Sequence, residues 1–169
     1  MRGLLGTMSD DVRLLIVGDG PVTAALRPMV DALGWTTAVT NDATEAGAAV
    51  GSVDAVVVLS HHEDVDGPAI RDALAAGTPY VGAMGSRRTQ ARRRDWLLDN
   101  GVAEESLAGL RAPIGLDIGA DAPGEIAVSI LAEIVAVRRG SGAAVTAISE
   151  RAGAIHPDQE PGTASCPGG

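Results

Sequence analysis

The sequence contains little cysteine, few aromatic residues and no lysine. Its single cysteine, Cys166, excludes a disulfide within the chain and a metal site built from several thiolates. Trp35, Tyr80 and Trp96 are the only aromatic residues and the net charge is -9, so we expect no nucleic-acid binding. No apolar run approaches the roughly 20 residues of a membrane span, and aspartates interrupt the N-terminal stretch MRGLLGTMSDD before any signal-like region. We therefore predict a cytoplasmic protein without membrane contact.

Positive charge is concentrated in one short stretch. Residues 86–94, SRRTQARRR, hold five arginines and no acid, whereas residues 1–85 and 95–169 each hold four arginines against eleven acids. An isolated basic stretch in an acidic chain indicates either a local anion-binding surface or a solvated helix face. The choice between the two depends on where these arginines lie in the fold.

Strand and helix patterns alternate along the chain. Short apolar runs predict buried strands, and amphipathic or alanine-rich stretches after them predict helices. Strands are expected at residues 12–17, 36–40, 54–60 and 79–85, and helices at residues 21–33, 43–50, 67–77, 86–100 and 123–139. After the fourth helix we expect a short helical piece and a fifth strand or loop. This alternation predicts one doubly wound, Rossmann-like α/β domain over residues 10–139 with a mainly parallel sheet. Residues 140–169, rich in glycine, proline and small residues, predict a flexible C-terminal tail.

The first turn resembles a dinucleotide-binding fingerprint in part. In VGDGPVTAAL, Gly18 and Gly20 fit the first two glycines of G-x-G-x-x-G, but Thr23 replaces the third. Proline at position 21 has no N–H for a pyrophosphate, and the aspartate at position 19 adds negative charge. At the end of the second strand, Asn41 stands where an acid would bind a ribose hydroxyl. We predict weak binding of NAD(P) or another nucleotide at most; a turn that only folds the chain explains the same residues.

The start of the fourth helix predicts an anion site. Gly85 and Ser86 are expected to offer backbone N–H groups there, beside Arg87 and Arg88 in the first turn. Cations in a first turn are disfavoured by the helix dipole, so an anion should compensate them. Positions 87, 91, 94 and 98 form one helical stripe, which is expected to face inward and to direct Arg87 to the carboxyl edge of the sheet.

The later arginines of the fourth helix favour the second interpretation, a solvated helix face. Arg92 and Arg93 are predicted to lie on a solvated face, near Asp95 and Asp99.

A histidine pair follows the third strand in SHHEDVD. His61 lies at the strand tip, but adjacent histidines point in different directions and no three-ligand geometry is specified, so we predict a polar contact to a ligand and no metal site.

Two long stretches carry a family resemblance. YVGAMGSRRTQARR and PIGLDIGADAPGEIAVSILAEIVAVRRG, with GAIHP near the end, resemble the C-terminal Rossmann-like domain of the XdhC/CoxI family, accessory proteins of molybdenum hydroxylases. The resemblance implies a role in delivering or maturing the molybdopterin cofactor as a transferred cargo. It marks as site residues His61, Ser86 and Arg87, together with the loop at residues 115–120, which contains Gly115, Asp117 and Gly119. Family members usually have GAGHVG where this chain has GDGPVT, which weakens the expectation of nucleotide binding.

The predicted function is that of a maturation factor for a molybdenum hydroxylase, such as xanthine or carbon monoxide dehydrogenase. It would bind a phosphorylated ligand, molybdopterin or a nucleotide, at the carboxyl edge of the sheet. Full-length family members carry a separate N-terminal domain, so a partner supplying that domain is expected besides the client enzyme, and a homodimer is left open. No nucleophile with its base is recognisable, so we assign no catalytic residue. The alternatives are an NAD(P)-dependent oxidoreductase with His61 as proton donor and a nucleotide-binding regulatory domain.

Overall fold

The computed structural model describes residues 11–140, in which five strands alternate with five α-helices. The strands are β1 (Arg13–Val17), β2 (Thr36–Thr40), β3 (Ala55–Val58), β4 (Tyr80–Ala83) and β5 (Leu110–Arg111). The helices are α1 (Pro21–Ala32), α2 (Ala43–Ala49), α3 (Glu63–Ala75), α4 (Arg87–Asp99) and α5 (Pro123–Arg138). Two 3₁₀ helices, Val50–Ser52 and Glu104–Gly109, follow α2 and precede β5.

The five strands form one parallel sheet in the order β2-β1-β3-β4-β5. The order of the strands changes direction at β1, because β2 lies on one side of β1 and β3 lies on the other. The switch point of the sheet is therefore between β1 and β3. In open parallel sheets this switch point is where a crevice forms outside the carboxyl ends of the strands. The fold therefore gives the loops after β1 and β3 the central position at that edge.

Each strand contributes alternate residues to two separate hydrophobic cores. Leu14 and Ile16 of β1 face a core completed by α1 and α5, whereas Leu15 and Val17 face a core completed by α2, α3 and α4. Side chains that alternate between two cores, in strands that are apolar throughout, are typical of a parallel sheet covered by helices on both faces. A buried hydrogen bond of 2.6 Å from the Tyr80 hydroxyl to Glu133 Oε1 links β4 to α5 across the first core. Burial and this bond raise the pKa of Tyr80 far above its ordinary value.

The structure confirms the predicted α/β class with a parallel sheet, and the first four strands lie within two residues of their predicted bounds. One helix differs, because α3 begins at Glu63 and not at residue 67. Three acids in its first turn favour this earlier start, since they interact with the positive end of the helix dipole. The domain bounds stay a prediction, and the predicted tail lies outside the described residues except for Gly140.

No helix within residues 11–140 combines the length and the apolar character that a bilayer span requires.

Candidate functional site

Two adjoining clefts lie at the carboxyl edge of the sheet and share His61 and Met84. The first, here called the turn cleft, has a volume of about 300 Å³ and lies over residues 18–23, Asn41 and residues 59–62. The second, the loop cleft, has a volume of about 480 Å³ and lies between residues 84–86 and the loop before α5. The two together are here called the sheet-edge cleft.

The β1–α1 turn is shaped by short, uncharged contacts. Gly18 has a φ of +113°, and a Cβ there would lie 2.5 Å from the backbone nitrogen of Ser60, so only glycine allows β1 and β3 to approach this closely. The buried Thr23 hydroxyl donates a 2.7 Å hydrogen bond to the Gly18 carbonyl oxygen. Thr23 thus closes the turn at the position where the fingerprint has its third glycine. Gly20 has open space where a Cβ would lie, so its backbone is accessible from the turn cleft.

Asn41 is tied to the same turn. Its side-chain oxygen accepts a 3.2 Å hydrogen bond from the backbone N–H of Asp19, across the cleft from β2 to the loop after β1. One lone pair of the amide oxygen is therefore engaged by the turn, and its second lone pair and the amide nitrogen can still meet a ligand hydroxyl.

His61 lies where the two clefts meet. It follows Ser60 at the end of β3, is exposed and lines both clefts. The backbone N–H of His62 donates a 3.3 Å hydrogen bond to the Ser60 hydroxyl, which fixes the bend of the chain around His61. The predicted contact of His61 with a ligand fits this position. Within residues 11–140 no three histidine, cysteine, aspartate or glutamate side chains are grouped to hold a metal ion.

The β4–α4 corner contributes Gly85 and Ser86 to the loop cleft. Gly85 has a φ of +145°, a backbone conformation that requires glycine. The Ser86 hydroxyl caps α4 by accepting a hydrogen bond of 3.2 Å from the backbone N–H of Thr89. Gln90 holds the corner from the helix side, since its amide nitrogen donates to the carbonyl oxygens of Ala83 and Gly85 at 3.1 and 3.3 Å.

The structure does not direct Arg87 into the sheet-edge cleft, and the predicted inward stripe of α4 is wrong. Arg87 is exposed and lines a separate groove that runs along α4 beside β5 and Pro113. The stripe that packs inward is displaced by one position and contains Arg93 and Leu97. Arg88 is exposed as well. The side chains of Arg87 and Arg88 form no ion pair or hydrogen bond with another residue of the range 11–140.

Arg93 overturns the prediction of a solvated face. Its side chain is 6% exposed, and Nη2 lies 2.9 Å from Oδ2 of the equally buried Asp66 on α3. Nη1 donates to the carbonyl oxygen of Met84 at 3.2 Å and to Gln90 Oε1 at 2.7 Å. The partner is therefore an acid 27 residues earlier and not Asp95 or Asp99.

Asp66 and Arg93 link the loops that form the sheet-edge cleft. Asp66 Oδ1 accepts a hydrogen bond from the Ser60 hydroxyl beside His61, and Arg93 reaches Met84 at the other side. Burial raises the pKa of Asp66 above its ordinary value, whereas the bonds to Ser60 and Arg93 act in the opposite direction. Sequence reasoning missed Asp66, although its spacing of four and seven residues from Ile70 and Ala73 places it on the buried face of α3.

The remaining basic residues of α4 are paired at the surface. Arg92 Nη2 lies 3.1 Å from Oε1 of Glu63, with both side chains more than half exposed, and Arg94 pairs with Glu104. Arg92 is therefore solvated as predicted, although its partner lies on α3.

The loop before α5 supplies the far wall of the loop cleft. Asp117 and Gly119 line it, whereas Gly115 packs against α5, where a Cβ would lie close to the Ser129 hydroxyl oxygen. In the first turn of α5, the Glu125 carboxylate accepts hydrogen bonds from the backbone N–H groups of Asp121 and Ala122, the last two residues of the loop, at 2.9 and 3.0 Å. These two bonds lower the pKa of Glu125.

The charges at this edge define what the cleft can bind. Aspartates 19 and 117 and the two histidines line the sheet-edge cleft, and no arginine is among its described lining residues. An anionic group there would depend on backbone N–H groups at the starts of α1 and α4 and on the histidines. Of the predicted site residues, the structure brings together Gly18, Gly20, Asn41, His61, Gly85, Ser86, Asp117 and Gly119, and leaves Gly115, Arg87 and Arg88 outside the cleft.

Comparison with known proteins places most of the chain in one family. The model of the XdhC Rossmann domain matches residues 14–134. The molybdenum cofactor insertion chaperone PaoD of Escherichia coli (strain K12) is 31% identical over 128 residues, which cover 75% of this chain and 40% of PaoD. The uncharacterized protein YqeB of the same organism is 31% identical over 152 residues, covering 76% of this chain and 28% of YqeB. A protein of Bacillus subtilis (strain 168), named as a probable xanthine dehydrogenase component, is 37% identical over 86 residues, or 51% of this chain and 24% of that protein.

A solved structure has the same fold. The crystal structure of a xanthine dehydrogenase from Bacillus halodurans matches with a TM-score of 0.61 and 25% identity, over 83% of this chain and 46% of that chain. The chain thus spans less than half the length of these relatives.

Proposed function

Because the chain belongs to the family of XdhC Rossmann domains, we propose that it is an accessory factor in the maturation of a molybdenum hydroxylase such as xanthine or carbon monoxide dehydrogenase. The observation that carries this proposal is the 31% identity, over three quarters of the chain, to a protein named as a molybdenum cofactor insertion chaperone. The cargo would be the molybdopterin cofactor, and the client would be the molybdenum enzyme. The N-terminal-domain partner and the homodimer stay predictions.

The site of this function would be the sheet-edge cleft. Its two parts meet at His61, at the switch point of the sheet, where parallel α/β folds bind ligands. The ring system of a phosphorylated ligand would lie in the larger loop cleft, and its phosphate would meet the start of α4 at Ser86. Arg87 and Arg88 flank that helix start, and their guanidinium groups are not engaged by any residue in the range 11–140.

Nucleotide binding in the turn cleft should be weak. Pro21 removes one backbone donor at the start of α1, and Asp19 adds a negative charge beside the position of a pyrophosphate. The Asn41 amide oxygen is bonded to the turn itself, and an amide lacks the negative charge with which an acid would hold a ribose hydroxyl. We expect calorimetric titration to give a dissociation constant for NAD(P) weaker than about 1 μM, which corresponds to about 8 kcal/mol.

The proposal is tested by cofactor transfer. A molybdenum hydroxylase purified without its cofactor is incubated with molybdenum-loaded molybdopterin, with or without this chain, and the recovered activity is measured. We expect faster or more complete activation with the chain, together with molybdopterin retained by the chain alone in native mass spectrometry. Equal activation in both arms, with no retained cofactor, would show that the chain is not a delivery factor.

A matched pair of variants tests the anion contact. In this structure Arg87 lines the neighbouring groove, so we propose that its exposed side chain turns toward a phosphate bound at Ser86. A charge-assisted hydrogen bond is worth about 1.5–3 kcal/mol, so Arg87→Ala should then weaken molybdopterin binding by at least about tenfold. Arg92→Ala is the control, because Arg92 is one turn further along α4 and already paired with Glu63 at the surface. An equal loss in both variants would indicate a diffuse field of positive charge and no defined pocket.

A further inference from the structure

A groove runs along α4, between that helix and the stretch of chain that passes through the second 3₁₀ helix and β5 to Pro113. We call it the α4–β5 groove. Its volume is about 370 Å³, and Pro113 is the one described lining residue that it shares with the sheet-edge cleft. Because β5 is the last strand of the sheet, no further strand of the described range covers the groove on that side.

The floor of the groove is apolar. Leu107, Leu110 and Ala112 line it, are half-buried, and pack against the core of α2, α3 and α4. On the α4 side the wall contains the exposed Ala91, whose short side chain leaves the floor accessible. Apolar surface that is accessible to solvent and bordered by polar residues is typical of a site that binds another protein.

Two arginines lie at opposite ends of the α4 wall. Arg87 and Arg94 both line the groove and are separated by about 10 Å along the helix axis. Arg94 is paired with Glu104, whereas the exposed Arg87 side chain has no ion pair or hydrogen bond to any residue of the range 11–140. The chain itself therefore supplies the carboxylate at the Arg94 end, and the Arg87 end is left to a carboxylate from a partner.

The charges around the groove favour a peptide over a polyanion. The chain has a net charge of -9, yet residues 86–94 hold five arginines and no acid, so an acidic ligand is attracted here and repelled elsewhere. A continuous polyanion such as nucleic acid would also meet Glu104 and Glu105, which are exposed on the 3₁₀ helix that supplies Leu107. A peptide with a single carboxylate among apolar residues would avoid them.

The α4 wall also sets the spacing of the groups that a peptide must offer. Ala91 follows Arg87 by one helical turn, about 6 Å along the axis. Two residues of an extended peptide cover about 6.6 Å, and their side chains point to the same side. A carboxylate at Arg87 and an apolar side chain beside Ala91 are therefore two positions apart in an extended peptide.

We propose that the α4–β5 groove binds an extended, acidic segment of another protein, in which a glutamate or aspartate and an apolar residue are two positions apart. The carboxylate pairs with Arg87, and the apolar side chain lies on Leu107 and Leu110. This inference does not rest on the function proposed for the sheet-edge cleft. Because one guanidinium cannot serve this groove and a phosphate at Ser86 at the same time, binding to the groove is measured in a buffer without phosphate.

A short peptide that reads the same in both directions tests the spacing. Acetylated and amidated Ser-Leu-Thr-Glu-Thr-Leu-Ser is titrated into the ¹⁵N-labelled full chain, and we expect saturable shifts of the backbone amide signals of Ala91 and Leu110. The amide signal of Gly20, which lines the turn cleft, should stay in place.

Two control peptides separate the apolar contact from the charge. Exchanging the leucines with the threonines keeps the composition but puts the leucines on the opposite side of the chain from the glutamate, so binding should weaken at least about tenfold. Replacing the glutamate by glutamine removes only the charge, so binding should weaken at least about threefold.

A matched pair of variants locates the binding. Ala91→Glu places a carboxylate within reach of Arg87 and Arg94, at helix spacings of four and three, and should weaken binding of the peptide at least about tenfold. Ala48→Glu is the same change at an exposed position of α2 outside the groove, and should bind as the unchanged chain does. If Ala91→Glu fails to fold, as an altered Trp35 indole signal would show, nuclear Overhauser contacts between the leucine methyl groups of the peptide and the Ala91 methyl group decide the question in the unchanged chain.

Saturable shifts at the groove that both control peptides and Ala91→Glu reduce would support the proposal. Absence of a saturable shift at millimolar peptide, equal binding of either control peptide, or a shift of Gly20 in place of Ala91 and Leu110 would each overturn it. Shifts of the same two signals on raising the concentration of the chain alone would mean that a second copy fills the groove, which also overturns it. Because neither cofactor nor client enzyme is used, the outcome is independent of the maturation assay.

Discussion

The β1–α1 turn and the β4–α4 corner occupy equivalent places in the fold but are held in different ways. Each follows a buried parallel strand and starts a helix at the carboxyl edge of the sheet. The first is closed by uncharged contacts between near neighbours, of which the bond from Thr23 to the Gly18 carbonyl is the shortest at 2.7 Å. The second depends on the buried pair of Arg93 and Asp66, whose members are 27 residues apart.

The stability of the two corners therefore depends on different interactions. A local turn needs a particular backbone shape, so its stability depends on glycine and on one hydroxyl. The second corner needs two charges to be removed from water together, and their attraction compensates that cost only while both are present. We therefore expect the β4–α4 corner to be the more sensitive of the two to a single substitution.

The largest expected effect comes from breaking the buried pair. Arg93→Met leaves Asp66 buried without its cation, and we expect the free energy of unfolding to fall by about 3–5 kcal/mol in urea denaturation. Arg92→Met is the control, since the exposed Arg92–Glu63 pair should be worth at most about 1 kcal/mol. Similar costs for both variants would mean that Arg93 contributes no more than a surface charge.

The cost of Arg93→Met should depend on pH. Arg93 lowers the pKa of Asp66, so its removal raises that pKa further above the ordinary value. A carboxyl whose folded-state pKa is raised destabilises the fold as pH rises through the interval between the unfolded and folded values. The difference between the variant and the unchanged chain should consequently shrink toward acidic pH, and a constant difference would contradict this account.

The β1–α1 turn should respond to backbone shape. Gly18→Ala forces a left-handed conformation on alanine and brings its Cβ to 2.5 Å from the Ser60 nitrogen, so we expect a loss of about 1–3 kcal/mol. Gly20→Ala, in an extended conformation with free space around the Cβ, should change stability by less than about 0.5 kcal/mol. Thermal unfolding of both variants measures the contrast, which would disappear if the turn adapted to a side chain at position 18.

The same two corners show what the sequence could reveal. The strand runs, the glycine turn and the helix starting at residue 87 are local patterns, and the alternation of strand and helix patterns along the chain makes the parallel sheet predictable. The burial of Arg93 was not predictable in this way, because arginine is usually exposed and because its partner, Asp66, belongs to another helix. An earlier start of α3 would have been the available signal, since it places Asp66 on the buried face with Ile70.

The residues of the candidate site differ in the same way in how far the sequence predicts their positions. Gly18, Gly20, Asn41 and His61 were predictable as neighbours, because the carboxyl ends of adjacent parallel strands meet at one edge. Arg87 was misplaced, since the rotation of α4 about its axis is set by the packing of Trp96 on Gly67 and by Arg93. A shift of one position along a helix turns a side chain by about 100°, enough to move it from the cleft to the neighbouring groove.

The smallest expected effect concerns a third helix start at this edge, that of α5. The exposed Glu125 carboxylate accepts two backbone hydrogen bonds there, and these lower its pKa, so its stabilising contribution is present above the ordinary glutamate value and is lost as pH falls through the lowered one. Glu125→Gln keeps an acceptor oxygen but removes the charge, so the melting temperature should fall slightly near pH 6, and the difference should vanish once the pH lies below the lowered pKa of Glu125. Glu105→Gln, at an exposed glutamate without a hydrogen bond or ion pair from its side chain to any residue of the range 11–140, is the control and should show no such convergence. A Glu125→Gln difference that persists in acid would mean that the start of α5, like the β1–α1 turn, is held by uncharged contacts alone.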